Sequence, residues 1–257
     1  MAEAGLAADK VDGGVRSIAR AVDVLRLFDL DHPRRTLREI VALTGLPKTT
    51  AVRVLATLDG LGLIVDLGDS SCSLGAGFLR WVDLAGSLWE VGADARRVMT
   101  RLVDMCGETV NVYIRRDLSR VSIAQVEGTA TVRSVVKTGV PYPLESGAAA
   151  KVLLGGASES VLRHLVGRPD RDLDSLRREV LGIRQAGYAV THGERELGAS
   201  AVAAPILSAD GRVLAALSIG GPTSRFTADR VGRYVDAVTE SAAEISSIGL
   251  GSVEAFL

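Results

Sequence analysis

Between Pro47 and Arg53 the chain sets two cations, Lys48 and Arg53, two hydroxyl groups, Thr49 and Thr50, and one branched apolar side chain, Val52. An arginine fork can hold guanine by two parallel hydrogen bonds, and the methyl of Thr49 or Val52 can touch a thymine methyl. Lys48, the two threonine hydroxyls and the amides of a first helical turn can meet phosphate oxygens. Arg38, with Arg34 and Arg35 before it, adds candidates for phosphate contacts that position a protein without specifying a sequence. Taken singly, each arginine reads equally well as a solvated surface charge. The expectation of DNA contact rests on the helix that carries the set.

That helix runs from Pro47, at its first position, to about Gly60, with Ala51, Val54, Leu55 and Leu58 on the side that faces a core. The opposite side collects Thr49, Val52, Arg53, Ala56 and Gly60, short side chains with one arginine in place of the usual Glu and Lys. Before it, Thr36-Leu37-Arg38-Glu39 is a capping box that opens a second helix ending at Thr44-Gly45. Earlier still, Ile18, Ala21, Val22, Leu25 and Phe28 recur at the spacing of one helical face. After it, Leu63 to Val65 and Cys72 to Leu74 read as two strands around the turn at residues 68–71. Helix, helix, turn, helix and hairpin make a winged helix-turn-helix, whose second paired helix enters the major groove.

Ala76 to Val91 reads as a helix with two apolar seams, Phe78/Val82/Ala85/Trp89 and Trp81/Leu84/Leu88/Val91. A helix apolar on two sides must bury against two things, and the alternating 3 and 4 spacing points to a partner helix from a second subunit or to a plain core helix. Beyond Gly107 strands alternate with helices. Strands are expected over residues 109–115, 120–127, 131–138, 200–207 and 213–219, and helices over 146–154, 158–166, 172–186 and 228–247.

The 257 residues suffice for one large domain or two ordinary ones. With 30 Lys+Arg against 31 Asp+Glu, the chain is not basic throughout. Residues 13–65, however, hold 8 basic and 5 acidic side chains, so a mildly basic module sits beside an acidic remainder. The longest uncharged stretches, 197–209 and 213–224, are too short for a membrane span. Charges at Glu3, Asp9, Lys10 and Asp12 leave no signal-peptide core, and Cys72 and Cys106 make no disulfide framework, so a cytoplasmic location is expected. His32, His164 and His192 are far apart in the sequence. No metal-ligand spacing, nucleophile elbow, phosphate loop or dinucleotide fingerprint is present, so no catalytic residue, metal or cofactor is expected.

Residues 36–41 together with 44–58, TLREIV and TGLPKTTAVRVLATL, resemble the DNA-binding signature of the IclR family of bacterial transcriptional regulators. Gly187-Tyr188-Ala189, Glu194, Gly198, residues 203–206 and residues 215–222 are similar to that family's effector-domain motif, and Pro143-Leu144 through residues 150–154 to its loop-helix element. The resemblance covers roughly residues 15–249. It implies an α+β protein of two domains: a winged helix-turn-helix, a linker helix, and a C-terminal GAF-like α/β domain that binds a small molecule. The expected boundaries are a disordered tail over 1–14, the DNA-binding domain over 15–75, the linker and dimerisation helix over 76–92, the effector domain over 93–249 and a C-terminal tail over 250–257.

Carried over by resemblance, the effector pocket falls on Tyr142, Ala148, Ala149, Thr191, Ala201, Ser218 and Gly220, with Asn111, Tyr113 and Tyr188 as further wall residues. The chain departs from the family pattern where many members have an Asp, a Cys and a His: here stand Thr191, Ala201 and Glu145. Either the alanines widen the pocket for a larger apolar ligand, or Ser218 and backbone amides hold a small anion. The resemblance further implies a homodimer or dimer of dimers on an approximately palindromic double-stranded operator, more in the manner of a repressor, with affinity set by a metabolite and no membrane association. A small-molecule enzyme and a protein-binding adaptor built on the GAF-like domain are the alternatives.

Overall fold

The computed structural model describes residues 15–166 and 172–257. The tail expected over 1–14 lies outside them. The chain divides into two compact units, residues 1–87 and 88–257.

In the first unit, α1 (Arg16–Leu25) is followed by β1 (Arg34–Thr36), α2 (Leu37–Thr44), α3 (Lys48–Gly60), β2 (Ile64–Asp66), β3 (Ser71–Leu74) and α4 (Gly77–Leu88). The capping box forms: the Thr36 amide donates to Glu39 Oε2 at 2.7 Å, and the Glu39 amide donates to Thr36 Oγ1 at 3.3 Å. The bond from the Thr36 amide holds the Glu39 carboxyl below its ordinary pKa. Gly45 ends α2 in the left-handed conformation at φ 67°, open to glycine at no steric cost, and so allows the tight turn into α3. Pro47 stands one position earlier than expected, as the residue before the helix, with its carbonyl accepting from Thr50 and Ala51. Val24, Phe28, Ile40, Ala51, Leu58, Ile64 and Cys72 form the core. On α1 the expected stripe is only partly inward: Ile18 and Val22 are exposed, and the fully buried residue is Val24. The hairpin gains a strand that the sequence pattern does not announce, since β1 is only three residues long and pairs with β3 to give the order β1-β3-β2.

The helix expected over 76–91 stops at Leu88, and α4 has no buried residue. Trp89 and Val91 leave the helix: Trp89 stacks on Phe256 with ring centroids 5.4 Å apart, and Val91 enters the second unit's core.

The second unit opens with α5 (Ala93–Cys106), β4 (Thr109–Arg116), β5 (Ser119–Val126) and β6 (Pro141–Pro143). Then come α6 (Ala148–Leu154), α7 (Glu159–Leu165), α8 (Leu173–Ala186), β7 (Ala189–His192), β8 (Ala199–Leu207), β9 (Val213–Pro222) and α9 (Ala228–Ile248). The six strands form one antiparallel sheet in the order β6-β5-β4-β9-β8-β7. Side chains alternate between its faces. Val110, Val112, Val202, Ala204, Leu217 and Ile219 join α5 and α9 in one core, while Tyr113, Ala203 and Ala216 join α6 and α8 in another.

Two expectations fail in this unit. Residues 131–138 alternate in polarity but form no strand; their backbone is held by side chains instead, with Val136 N donating to Gln125 Oε1 at 3.0 Å and Arg225 Nη2 to the Val132 carbonyl at 2.9 Å. The place at the sheet edge goes to β6, where Pro141 and Pro143 are tolerated because an edge strand has one side unpaired. The second concerns residues 250–257. Leu250 and Val253 are fully buried, and Gly92 N donates to the Leu250 carbonyl at 2.8 Å, so this segment belongs to the core. Gly251, at φ 84°, passes so close to Gly92 that a Cβ would come within 2.9 Å of its Cα.

Glu108, 1% exposed, is neutralised by a bidentate pair with Arg225 at 2.5 Å, and the same guanidinium holds the 131–138 segment. Arg225→Ala strands a buried carboxylate, and urea unfolding is expected to show a loss of about 3 kcal/mol. A loss below about 1 kcal/mol would mean that Glu108 finds water instead.

Candidate functional site

The core face of α3 is anchored by Ala51 and Leu58, with Val54 and Leu55 half-buried beside them. This anchoring turns Pro47, Lys48, Thr49, Val52 and Arg53 outward; all are exposed, and Thr50 is half-buried. Ala56 and Gly60 continue the same face with no bulk. Arg38, one residue inside α2, is also exposed. None of Arg38, Lys48 and Arg53 has an ion-pair partner among the described residues. Arg35 differs: it is half-buried, its Nε donates to the Leu27 carbonyl at 3.0 Å, and its guanidinium lies 4.0 Å from Glu39. It braces the turn before α2 and leaves the set of phosphate candidates. At the hairpin tip Asp66 accepts from Gly68 N and Asp69 from Ser71 N, so this turn presents carboxylates rather than cations.

The second site lies in the other unit, on the sheet face beneath α6. Register explains its floor. Thr191, Ala201 and Gly220 stand in one row across β7, β8 and β9, and Ser218 stands beside Asn111 of β4 in the next. Ala148 and Ala149 of α6 close the space from above. Six of the seven expected pocket residues, with Asn111 and Tyr113, therefore line one small cavity of about 50 Å³. Tyr142 does not. It lines a neighbouring cleft of about 390 Å³ with Val135, Val136 and Pro143, because β6 carries it to the sheet edge. Tyr188 lines neither of these cavities.

Polar groups at the roof are already engaged. The Ala148 amide donates to Thr191 Oγ1 at 3.1 Å and the Gly147 amide to Glu194 at 3.2 Å. Glu194 also pairs with Lys151 at 2.7 Å, as does Glu179. Burial works against the Lys151 charge, but the two carboxylates prevail and raise its pKa. The Gly147 and Ala148 amides are thus engaged by side chains of the same unit.

Sequence reasoning missed Arg120, Ser134, Arg195 and Ser200, all of which line the inner cavity. Ser200 Oγ lies 2.9 Å from His192 Nδ1 and 2.9 Å from Thr223 Oγ1, which fixes its position. Arg120 faces the cavity because of a bulge. Val112 pairs with Ala124 but Tyr113 with Ser122, so Ile123 is extra on β5, and the residues before it turn to the Tyr113 face. Strict alternation hides this. Burial raises the Tyr113 pKa and lowers that of Arg120.

Comparison with known proteins agrees across both units. The family model for the IclR helix-turn-helix domain matches residues 17–67, and that for the bacterial transcriptional regulator IclR C-terminal matches residues 87–247. The HTH-type transcriptional regulator KipR of Bacillus subtilis is 30% identical over 240 residues, covering 90% of this chain and 96% of KipR. The HTH-type transcriptional repressor AllR of Escherichia coli is 28% identical over 253 residues, covering 91% of this chain and 90% of AllR. Among solved structures, an IclR-family chain from Rhodococcus sp. is 46% identical with a TM-score of 0.63, covering 98% of this chain and 100% of that one. An IclR homolog from Microbacterium hydrocarbonoxydans, complexed with 4-hydroxybenzoate, is 25% identical with a TM-score of 0.72, covering 93% and 99%. The family and these relatives are regulators of transcription rather than enzymes. With both of its units matched in order, the chain belongs to the IclR family of bacterial transcriptional regulators.

Proposed function

We propose that this regulator binds an approximately palindromic operator as a homodimer, or a dimer of dimers, in the cytoplasm, and that a small metabolite in the sheet-face cavity sets its operator affinity. The observation that carries the DNA reading is the outward face of α3, where Lys48, Thr49, Val52 and Arg53 are exposed together on the second helix of a helix-turn-helix. In this reading Arg53, Thr49 and Val52 meet base edges, Thr50, Lys48 and Arg38 meet phosphates, and Pro47 sets the helix start close to the backbone. Repression is the mode favoured by relatives such as AllR. No helix among the described residues is long and apolar enough to cross a membrane.

Dimerisation is supported by α4, whose Leu79, Trp81, Val82, Leu84 and Leu88 are 41–66% exposed on a helix with nothing buried. Apolar residues at this spacing lose their cost to water when a second copy covers them. Coupling to a ligand requires that the DNA-competent and incompetent arrangements bind it with different affinity, typically by ~1–3 kcal/mol.

In mobility-shift titrations against DNA flanking its gene, Arg53→Ala and Thr49→Ala are each expected to weaken specific binding by about 10- to 100-fold. Wild-type binding should fall steeply with salt as counterions are recaptured. Unchanged affinity in both variants would sink the α3 assignment. Sedimentation should give a dimer or larger for the wild type and a monomer for Leu84→Glu/Leu88→Glu; a wild type that stays monomeric contradicts the α4 interface. In Gly220→Ala the added methyl meets Ser134 Oγ at 3.8 Å, an ordinary contact, so the chain keeps its fold while the cavity shrinks. Any metabolite that shifts wild-type operator affinity is then expected to be needed at about tenfold higher concentration, and an unaltered dose response would place the effector elsewhere.

A further inference from the structure

The second unit holds another hollow, far from the inner cavity and ten times its size: a cleft of about 550 Å³. Small-molecule sites span roughly 300–1,000 Å³, so an ordinary metabolite fits. Register puts this cleft at the other end of the sheet. The inner cavity takes Asn111 of β4 and Ser218 of β9, whereas the cleft takes Arg115 and Arg116 of β4 and Val213 and Leu214 of β9. Five residues of strand separate Ser218 from Val213, about 17 Å. Helix α6 runs between the two, with Ala148 at its start over the cavity and Gly155 and Gly156 past its end in the cleft. A Cβ on Gly156 would lie 3.1 Å from that of Val213, so glycine lets the end of α6 meet β9 without filling the hollow.

Four guanidiniums line the cleft, those of Arg115, Arg116, Arg184 and Arg212, and Asp210 is the one carboxylate side chain among its described lining residues. They come from three separate places: the end of β4, the last turn of α8 and the turn between β8 and β9. Asp210 accepts from Arg212 Nε at 2.8 Å and leaves both terminal nitrogens of that fork. Arg115 gives one N–H to the Asp117 carbonyl at 3.3 Å. Arg116 lies over the Trp89 ring, 5.2 Å from its centroid, which engages the face of the guanidinium and leaves its N–H edge. Arg184 has no partner among the described residues. A carboxylate at Leu257 would still leave four cations against two anions, and the carbonyl end of α6 adds only about half a negative charge. The rest of the lining is apolar, with Val213, Leu214 and the ring of Phe256, which is 46% exposed and backed by Trp89.

We infer that this cleft is a second ligand site, separate from the sheet-face cavity, and that it takes a nucleoside polyphosphate. A chain of two or three phosphates carries about three or four negative charges, enough for every guanidinium that Asp210 leaves. The arginine forks suit phosphate oxygens, which accept two parallel N–H bonds from one guanidinium. The base lies against Phe256, whose ring is held flat by Trp89 behind it. A bare inorganic anion would meet the cations and leave that ring in water. Because the guanidiniums are largely solvated, the phosphates set the attraction and its salt dependence, while the stacked base sets the preference among phosphates.

The test is isothermal titration of the full chain with ATP, tripolyphosphate and adenosine, each at the same ionic strength and with EDTA present. ATP and tripolyphosphate are expected to bind and adenosine to give no signal. Arg184→Gln and Arg212→Gln should each weaken ATP by about three- to tenfold, and the double variant by more. Phe256→Leu should weaken ATP by about threefold and leave tripolyphosphate unchanged. Arg53→Ala, on the outward face of α3, should leave ATP binding as it is. Ligand-free thermal unfolding shows that each variant is folded, and the two arginine variants should keep or slightly raise Tm as like charges are removed. No binding of ATP, or undiminished binding in the folded double variant, would overturn the site. Loss of ATP binding in Arg53→Ala would also overturn it, by placing the anion on the DNA-facing helix. A Phe256→Leu variant that binds ATP like the wild type would overturn the nucleoside assignment.

Discussion

A β-strand buried on both faces has to divide its side chains between two surroundings, and in the second unit that division governs everything else. One face of the sheet is uniformly apolar and is sealed by α5 and α9. The other must also receive α6 and α8, yet along β4, β8 and β9 it is lined with Asn111, Ala201, Ser218 and Gly220, too small or too polar to fill the space beneath a helix. A cavity follows from this shortage of side-chain volume, since close packing leaves voids only where shape demands them. Polar residues survive there because they bond one another: Ser122 Oγ lies 3.2 Å from Asn111 Oδ1, and Thr191 caps the Ala148 amide.

The first unit follows a simpler version of the same rule. Its helices are short, and α3 keeps its orientation by burying only Ala51 and Leu58 completely. With so narrow a buried stripe, most of the helix circumference is left to the solvent side, which is what a helix lying in a DNA groove requires. Bracing comes from polar bonds as much as from apolar contact. Arg35 reaches back to the Leu27 carbonyl and Cys72 donates weakly to the Arg35 carbonyl at 3.4 Å, tying the three-stranded sheet to the turn before α2.

Signals written in neighbouring residues were legible in the sequence. The Thr36–Glu39 box, the Gly45 turn, the Gly187 stop at φ 79° and the alternation along β8 and β9 all depend on contacts a few residues apart. No helix was expected over α5, although Ala95, Val98, Met99, Leu102 and Val103 stand at helical spacing, because its many charged residues mask the stripe. Long-range facts were not readable. Nothing near Arg120 in the sequence separates a buried arginine from a surface one, because its environment is assembled from β4, β6 and the turn before α6. The alternation at 131–138 mimics a strand because bonds from Gln125 and Arg225 replace a ladder. Likewise the buried Leu250 and Val253 follow a helix end at Gly249 that, read locally, is a natural place for order to stop.

The extra residue on β5 has a consequence for how this segment tolerates change. Ser122 and Ala124 are two apart, a spacing that an unbroken strand would aim to one side, yet they serve opposite faces. Their division rests on a residue count rather than on residue identity. Many substitutions at Ile123 keep that count, and losing Ile123 itself would leave Ser122 directly before Ala124, so that ordinary alternation still sends the two to opposite faces and keeps Arg120 on the Tyr113 side. Losing Val121 instead would bring Arg120 next to Ser122 and turn it to the hydrocarbon side, so length is held more strictly beside the bulge than at it.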